Sequence, residues 1–333
     1  MSHESVLMQA RGAPRLSGSP RMRTPGRSRV RFAIVALLVC ALDAGALPLR
    51  AAPSDPRELR FGVIAEEANE PDRMLRVYSD LLAELRKRLA PKGIGVAPLV
   101  ITKDLNELSQ RLKQGGVDLV IESVFPTFEL QERSGQMLAP HLAIVRRNQR
   151  EYHSVFFARR KGPIKSLEDL KGRTLVLQAE RSTSAFAVPR AELARRGIGL
   201  VPLGQPTRGR AAAFYVLAGA ELNQAIWVLN GKGDAGAFND GDWSRLPEKV
   251  RSELVSFHET RPLLRGALSF RVGLDTETKR VCEEVLLSLD KDPAGQAALT
   301  NAAGITRFER LTPRDLADIG EWRLALKSVS APR

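Results

Sequence analysis

The sequence predicts an α/β protein of two lobes, each built on a parallel sheet with crossover helices. Three observations lead there. Short apolar, strand-like runs alternate with longer amphipathic, helix-like ones, and the alternation occurs in two successive units. At 333 residues and 43% hydrophobic content, the chain has room for two cores. No segment repeats at a fixed period and none is of low complexity.

The first unit opens with the short apolar strand LRFGVI, 59–64. PDRMLRVYSDLLAELRKRLAP (71–91) follows as a helix, with Pro71 in its first turn and Met74, Tyr78, Leu81, Leu85 and Leu89 on one face. GVAPLVI (95–101) is the second strand, DLNELSQRLKQGG (104–116) a helix ending in glycines, VDLVIES (117–123) the third strand and PTFELQERSG (126–135) a short helix. The second unit reads as strand 152–160, a helix from Ser166, strand 174–179, helix 184–197, strand 212–216, helix 221–231 and strand 234–238. Strands at 255–260 and 266–274, then helices at 276–290, 293–303 and 313–328, complete the chain.

The net charge of +13 is unevenly placed. Residues 1–46 hold seven arginines against Glu4 and Asp43, and the rest holds 44 basic against 36 acidic side chains. Such a mildly basic body suits anionic ligands, and with only 5% aromatics it lacks the stacking surface of a nucleic-acid binder. The arginine-rich lead precedes an eleven-residue apolar run, Phe32–Leu42, and the small residues Ala44-Gly-Ala46. That run is too short to span a bilayer and fits a signal peptide over 1–46, followed by a proline-rich linker over 47–57. Leu37-Leu-Val-Cys40 offers a weaker lipidation reading, because Val39 is bulky, and an uncleaved anchor is a third. Cys282, the one thiol after the lead, lies in a helical pattern and reads as a small core residue.

Gly231-Lys-Gly-Asp-Ala-Gly236 matches the dinucleotide fingerprint in letters, but a helix precedes it and a strand follows. The phosphate-binding mechanism needs the reverse order, so the glycines read as a helix end and turn. Walker A, His-Glu-x-x-His, Cys-x-x-Cys and Gly-x-Ser-x-Gly patterns are absent, and the four histidines lack ligand spacing. No metal and no cofactor are expected. Arg146-Arg147 and Arg159-Arg160-Lys161 flank strands and read as solvated edges, while Trp227 reads as core. Glu122 with His153 is the one acid–base pair to inspect for chemistry.

Ser182-Thr183-Ser184 stands where the strand ending at Gln178 gives way to a helix. One hydroxyl suffices to cap a helix, and three adjacent ones at a helix N-terminus suit a tetrahedral oxyanion.

LRFGVI, GGVDLVIES, YHSVFFARRKGPIKSLEDLKGRTLVL, STSAFAVPRAELARRGI, VLNGKGDAGAF, PLLRGALSF and LDKDPAGQAALTNAAGITRF occur in that order between Leu59 and Phe308. Together they resemble the phosphate/phosphite/phosphonate substrate-binding proteins of ABC transporters, a class of type II periplasmic binding proteins. The resemblance implies two Rossmann-like lobes joined by a two-segment hinge, with the ligand closed in the cleft between them. It implies ligand contacts at Ser182, Thr183 and Ser184, and at Glu122, Ser123 and Thr127 facing them from the other lobe. Tyr152 and His153 would begin the first crossing, Val255–Glu259 would form the return, and Asn239 and Asp240 would add polar contacts. Ala185 replaces the family's usual glycine, LAGAELNQ lacks its Ser-His pair, and ESVFPTF departs from its Gly-Pro form. The acidic first loop AEEANEPDR suits a zwitterionic ligand with an amine, or else simply faces solvent.

On this reading lobe 1 comprises 58–153 and 256–333, and lobe 2 comprises 154–255. The expected function is capture of a small anionic or zwitterionic phosphonate-like ligand by an exported, periplasmic monomer that delivers it to an ABC permease. It implies neither catalysis nor nucleic acid. A ligand-sensing receptor of the same fold is the alternative, and an enzyme on this scaffold a weaker one.

Overall fold

The computed structural model describes residues 57–65, 70–207, 209 and 211–330. The expected signal peptide, the linker up to residue 56 and the acidic stretch 66–69 lie outside the described residues. Two six-stranded sheets, each covered by helices on both faces, form the two lobes expected from the sequence.

The first lobe starts with β1 (Arg57–Leu59) and β2 (Phe61–Ile64), all four residues of β2 being buried. Helix α1 (Glu70–Leu89) buries Tyr78, Leu81, Leu82, Leu85 and Leu89, the face the periodicity predicts plus Leu82. The expected strand 95–101 is two pieces, β3 (Ile94–Val96), paired with β1, and β4 (Val100–Thr102), paired with β2. Between the pieces runs Ala97-Pro98-Leu99, where proline has no N–H for a ladder. Helix α2 (Leu105–Lys113) is capped by Asp104, whose side chain accepts from Glu107 N at 2.8 Å. It presses on β2 so closely that a Cβ at Gly62 would come within 2.8 Å of Leu108 Cδ1. Then come β5 (Leu119–Glu122), α3 (Val124–Arg133) and β6 (Leu138–Arg146).

The chain then crosses through β7 (Glu151–Tyr152) into the second sheet. There β8 (Ser154–Arg159), β9 (Thr174–Leu177), α4 (Val188–Ala194), β10 (Gly199–Pro202), β11 (Ala212–Leu217), α5 (Glu221–Leu229) and β12 (Ala235–Asn239) follow. Short helices α6 (Asp240–Arg245) and α7 (Glu248–Arg251) lead to β13 (Leu254–Glu259). The expected helix from Ser166 is a single 3₁₀ turn, Glu168–Leu170. Strand order is β10-β11-β9-β12-β8-β13. Alternation serves both faces: Leu175 and Leu177 point to one core, Val176 to the other.

The return runs through β14 (Leu263–Leu264) to β15 (Ala267–Arg271), then α8 (Thr276–Ser288), α9 (Pro293–Asn301), β16 (Ile305–Arg310) and α10 (Pro313–Ser330). The first sheet has the order β16-β6-β15-β5-β2-β4. Neither sheet is wholly parallel, because the strands on the two crossings run against their neighbours: β15 against β5 and β6, β8 against β12 and β13. The segment Val255–Glu259, expected as the return crossing, is most of β13, an edge strand paired with β8. The crossing itself is Thr260–Gly266, where β14 pairs antiparallel with β7 through Leu263–Tyr152 and Leu264–Glu151.

Helix α10 lies over this crossing. Trp322 and Leu326 join Val124 and Phe128 of lobe 1, Val188 and Ala191 of lobe 2, and Leu263 and Leu264 of the crossing in one apolar cluster. Arg150 grips its start with paired bonds to Asp315, Nη1 to Oδ1 at 2.7 Å and Nη2 to Oδ2 at 2.6 Å. Asp315 also accepts from Thr312 N and Oγ1, and the Arg150 guanidinium first of all holds its carboxyl well below the usual carboxylate range. Asp315→Ala is therefore expected to lower stability by about 2–3 kcal/mol in urea titration at pH 7. A depressed carboxyl contributes fully above its unfolded pKa and loses its contribution as pH falls toward the folded value, so this gap should narrow below about pH 4.

Candidate functional site

The two lobes meet where the ends of β5 and β9 face each other. After Glu122 the backbone of Ser123 is extended (φ −69°, ψ 167°) and turns the chain into α3. Ser123 makes no side-chain cap, which frees its hydroxyl for the other lobe. Thr127 is committed locally, with Oγ1 donating to Ser123 O at 2.9 Å. Glu122 accepts from Ser123 N and lies 3.9 Å from Arg181 of the second lobe.

Opposite stands the hydroxyl run. Ser182 is a conventional cap, its Oγ accepting from Ala185 N at 3.2 Å. What it caps is a wide π-type turn, Thr183–Ala187, with Ala185 at φ −106°, ψ 15°, before the regular α4 begins. Thr183, 3% exposed, donates to Ser123 Oγ at 3.0 Å and accepts from Phe125 N at 3.0 Å. The N-terminus of α3 thus receives an oxygen from the facing lobe. Ser184 contributes its carbonyl to Ser154 Oγ at 2.6 Å, and the Thr183 and Ser184 side chains lie beside the Tyr152 hydroxyl. Burial pushes the Tyr152 phenol up to about 12, so it is a neutral hydroxyl at any physiological pH.

A polar chain runs from there into the hinge. The Arg265 guanidinium lies over the Tyr152 ring at 5.0 Å and donates to Gln149 Oε1 at 2.7 Å. Gln149 Nε2 donates to Asp240 Oδ2 at 3.1 Å, and Asp240 Oδ1 accepts from His153 N at 3.3 Å. His153 Nδ1 donates to Thr260 O at 2.7 Å; among the described residues its ring meets no carboxylate, and Glu122 is not its partner. Asn239 caps α6 by accepting from Asp242 N at 2.9 Å. Ser182, Thr183, Ser184, Glu122, Ser123 and Tyr152 thus form one contact set. His153 and Asp240 join it through Gln149 and Arg265, and Thr127 and Asn239 serve their own helices.

Arg146, Gln149, Arg181 and Arg265 escape the sequence reading. Arg147 is exposed as expected of an edge residue, but Arg146 has a buried Nε. Glu221, offered by the stretch that lacks the family's Ser-His pair, accepts from Gln178 Nε2 at 2.8 Å, and burial raises its pKa. Burial also pushes Cys282 up to about 12, as befits an inert core thiol. Among the described residues no cluster of three His, Cys, Asp or Glu could hold a metal, and no helix is long and apolar enough to cross a membrane.

Thr183→Val keeps the shape, removes the donor to Ser123 and leaves Phe125 N without its acceptor. A loss of about 1–3 kcal/mol is expected in urea titration, with Thr183→Ser recovering most of it.

Residues 61–316 match the model of a family described as "ABC transporter, phosphonate, periplasmic substrate-binding protein". XAC2383 from Xanthomonas citri, solved bound to chloride ion and bound to ATP, is 30% identical, with a TM-score of 0.73 over 82% of this chain and 98% of that one. PA3383 from Pseudomonas aeruginosa, a binding protein component of an ABC phosphonate transporter, is 18% identical, with a TM-score of 0.59 over 83% and 88%. PhnD1 from Prochlorococcus marinus in complex with methylphosphonate is 20% identical, with a TM-score of 0.57 over 82% and 99%. At these lower identities the likeness is one of fold. The family match over three quarters of the chain carries further: the chain belongs to the periplasmic phosphonate substrate-binding proteins of ABC transporters, a family of solute binders and not of enzymes.

Proposed function

We propose that this protein captures a small phosphorus oxyanion between its lobes and delivers it to an ABC permease of the inner membrane. The observation that carries the reading is the convergence of Ser182–Ser184 with the start of α3, joined by Thr183 and Ser123. Two chain starts rich in N–H and O–H donors face one another there, the arrangement that best holds a tetrahedral anion without a fixed countercharge. Closure of the lobes would remove water from such an anion and strengthen each of these bonds.

The three hydroxyls divide the work. Ser182 has a proton left after capping and is the donor for the ligand. Thr183, bonded to Ser123, and Ser184, whose carbonyl accepts from Ser154, hold the wall in place. Glu221 and Asp240 add carboxylates on the lobe 2 side, which suits a zwitterion with an amine. The arginine-rich lead and apolar run of residues 1–46 support export to the periplasm, and the protein acts as a monomer. A nucleoside triphosphate is the second reading, favoured by the 30%-identical protein solved bound to ATP.

The test is a thermal-shift screen against phosphate, phosphite, sulfate, methylphosphonate, 2-aminoethylphosphonate, taurine and ATP, followed by calorimetry. A ligand of the folded state raises the melting temperature by mass action, and a selective rise with one phosphorus oxyanion is expected. Ser182→Ala should weaken that ligand at least tenfold, and unchanged affinity removes the hydroxyl run from the site.

A further inference from the structure

Half-buried arginines in this chain are generally matched. Arg150 meets Glu309 and Asp315, Arg271 meets Asp118, Arg88 meets Glu84 and Asp292, and Arg159 donates to the carbonyls of Val228 and Gly233. Two at the mouth of the crossing are not. Arg146 ends β6, and Arg265 stands one residue past β14 on the return. Among the described residues neither has a carboxylate within ion-pair distance. Arg146 Nε is buried and has no hydrogen-bond partner. Arg265 donates to the neutral amide of Gln149.

The two cations feel each other. Burial lowers the Arg265 pKa first of all, Asp242 acts to restore it, and Arg146 and Arg245 repel it. Asp242 is engaged elsewhere, paired with Arg245 and bonded by Asn239. Partly burying two like charges without a counterion is unfavourable, and an anion bound between them relieves it. Arg265 lies over the Tyr152 ring, Arg146 is within electrostatic reach of its hydroxyl, and the Thr183 and Ser184 side chains lie beside that hydroxyl. The hydroxyl wall and the arginine pair therefore both border on Tyr152.

We propose that Arg146 and Arg265 form a second anion subsite that selects ligands carrying two anionic groups, of the diphosphate or phosphonocarboxylate kind, over those carrying one. This rests on the cleft reading above and adds the ligand class. The hydroxyl wall receives the first group. The guanidiniums, rigid planar forks suited to phosphate or carboxylate oxygens, receive the second.

Calorimetry of the full chain with methylphosphonate, phosphonoacetate and pyrophosphate tests this. Wild type is expected to bind one of the two-group probes at least tenfold more tightly than methylphosphonate. Arg146→Gln and Arg265→Gln should each reduce that preference about tenfold or more, the equivalent of one lost charge-assisted contact, and Arg146→Lys should restore part of it. Melting temperatures within a few degrees of wild type exclude simple misfolding, and if one variant does not fold the other decides. Methylphosphonate binding that depends on Ser182, with no preference for either two-group probe, overturns this inference and leaves the cleft reading intact. A preference that survives both glutamine variants also overturns it. No binding by any of the three overturns this inference, and the cleft reading falls with it only if the wider oxyanion screen is also flat.

Discussion

Everything in this molecule depends on the chain crossing twice between its lobes at one place. The antiparallel pairing of β7 with β14, through Leu263–Tyr152 and Leu264–Glu151, fixes where the lobes join. It forces β15 and β8 to run against their neighbours, so two sheets that begin as parallel βα units each become mixed. It also sets the cleft, since the strands facing the junction end there and their turns carry the polar groups. At Gly266 the return passes so close to β5 that a Cβ would lie 2.4 Å from Glu122 O, so only glycine fits beside the turn that presents Ser123. The apolar cluster under α10 then fastens the crossing from behind, drawing on both lobes at once.

The hydroxyl run illustrates how one short stretch answers several demands. A regular helix beginning at Thr183 would need one cap and would turn the next two side chains around its axis. The wide turn instead keeps Thr183 and Ser184 together, directed at Ser123 and Tyr152. The extra hydroxyls are therefore needed by the protein itself as much as by any ligand. Thr183 closes the contact between lobes, Ser184 anchors Ser154 and lies beside the Tyr152 phenol, and Ser182 is the member with a donor to give.

Much of the fold was legible because it rests on local pattern. The face of α1 follows from the spacing of Tyr78, Leu81, Leu85 and Leu89, and β2 and β5 from unbroken apolar runs. Strand β6 is not legible in the sequence, because Pro140 and His141 interrupt its run. Its pairing with both β15 and β16 overrides them. The second sheet's edge at β13 cannot be told from a crossing in the sequence, because VSFHET looks the same in either role, and only its pairing with β8 decides. Within the site, the hydroxyls and Glu122 could be found, since they follow strands. Arg265 could not: its neighbours in the sequence are those of any strand edge. What sets it apart is Tyr152, more than a hundred residues away.

Charge distribution gives the cleft its character. The body of the protein is only mildly basic, and most of its cations are neutralised in surface pairs that contribute little. Arg150 shows what this chain does with a guanidinium needed for structure, surrounding it with Glu309 and Asp315. The contrast with Arg146 and Arg265 is one of kind: at the same crossing Arg265 meets an amide and an aromatic ring instead, and the buried Nε of Arg146 meets no partner. A carboxylate at Gln149 would satisfy Arg265 permanently and remove its attraction for anything else. The neutral amide holds the guanidinium in orientation while leaving its charge available, the condition a binding site needs and a structural ion pair does not.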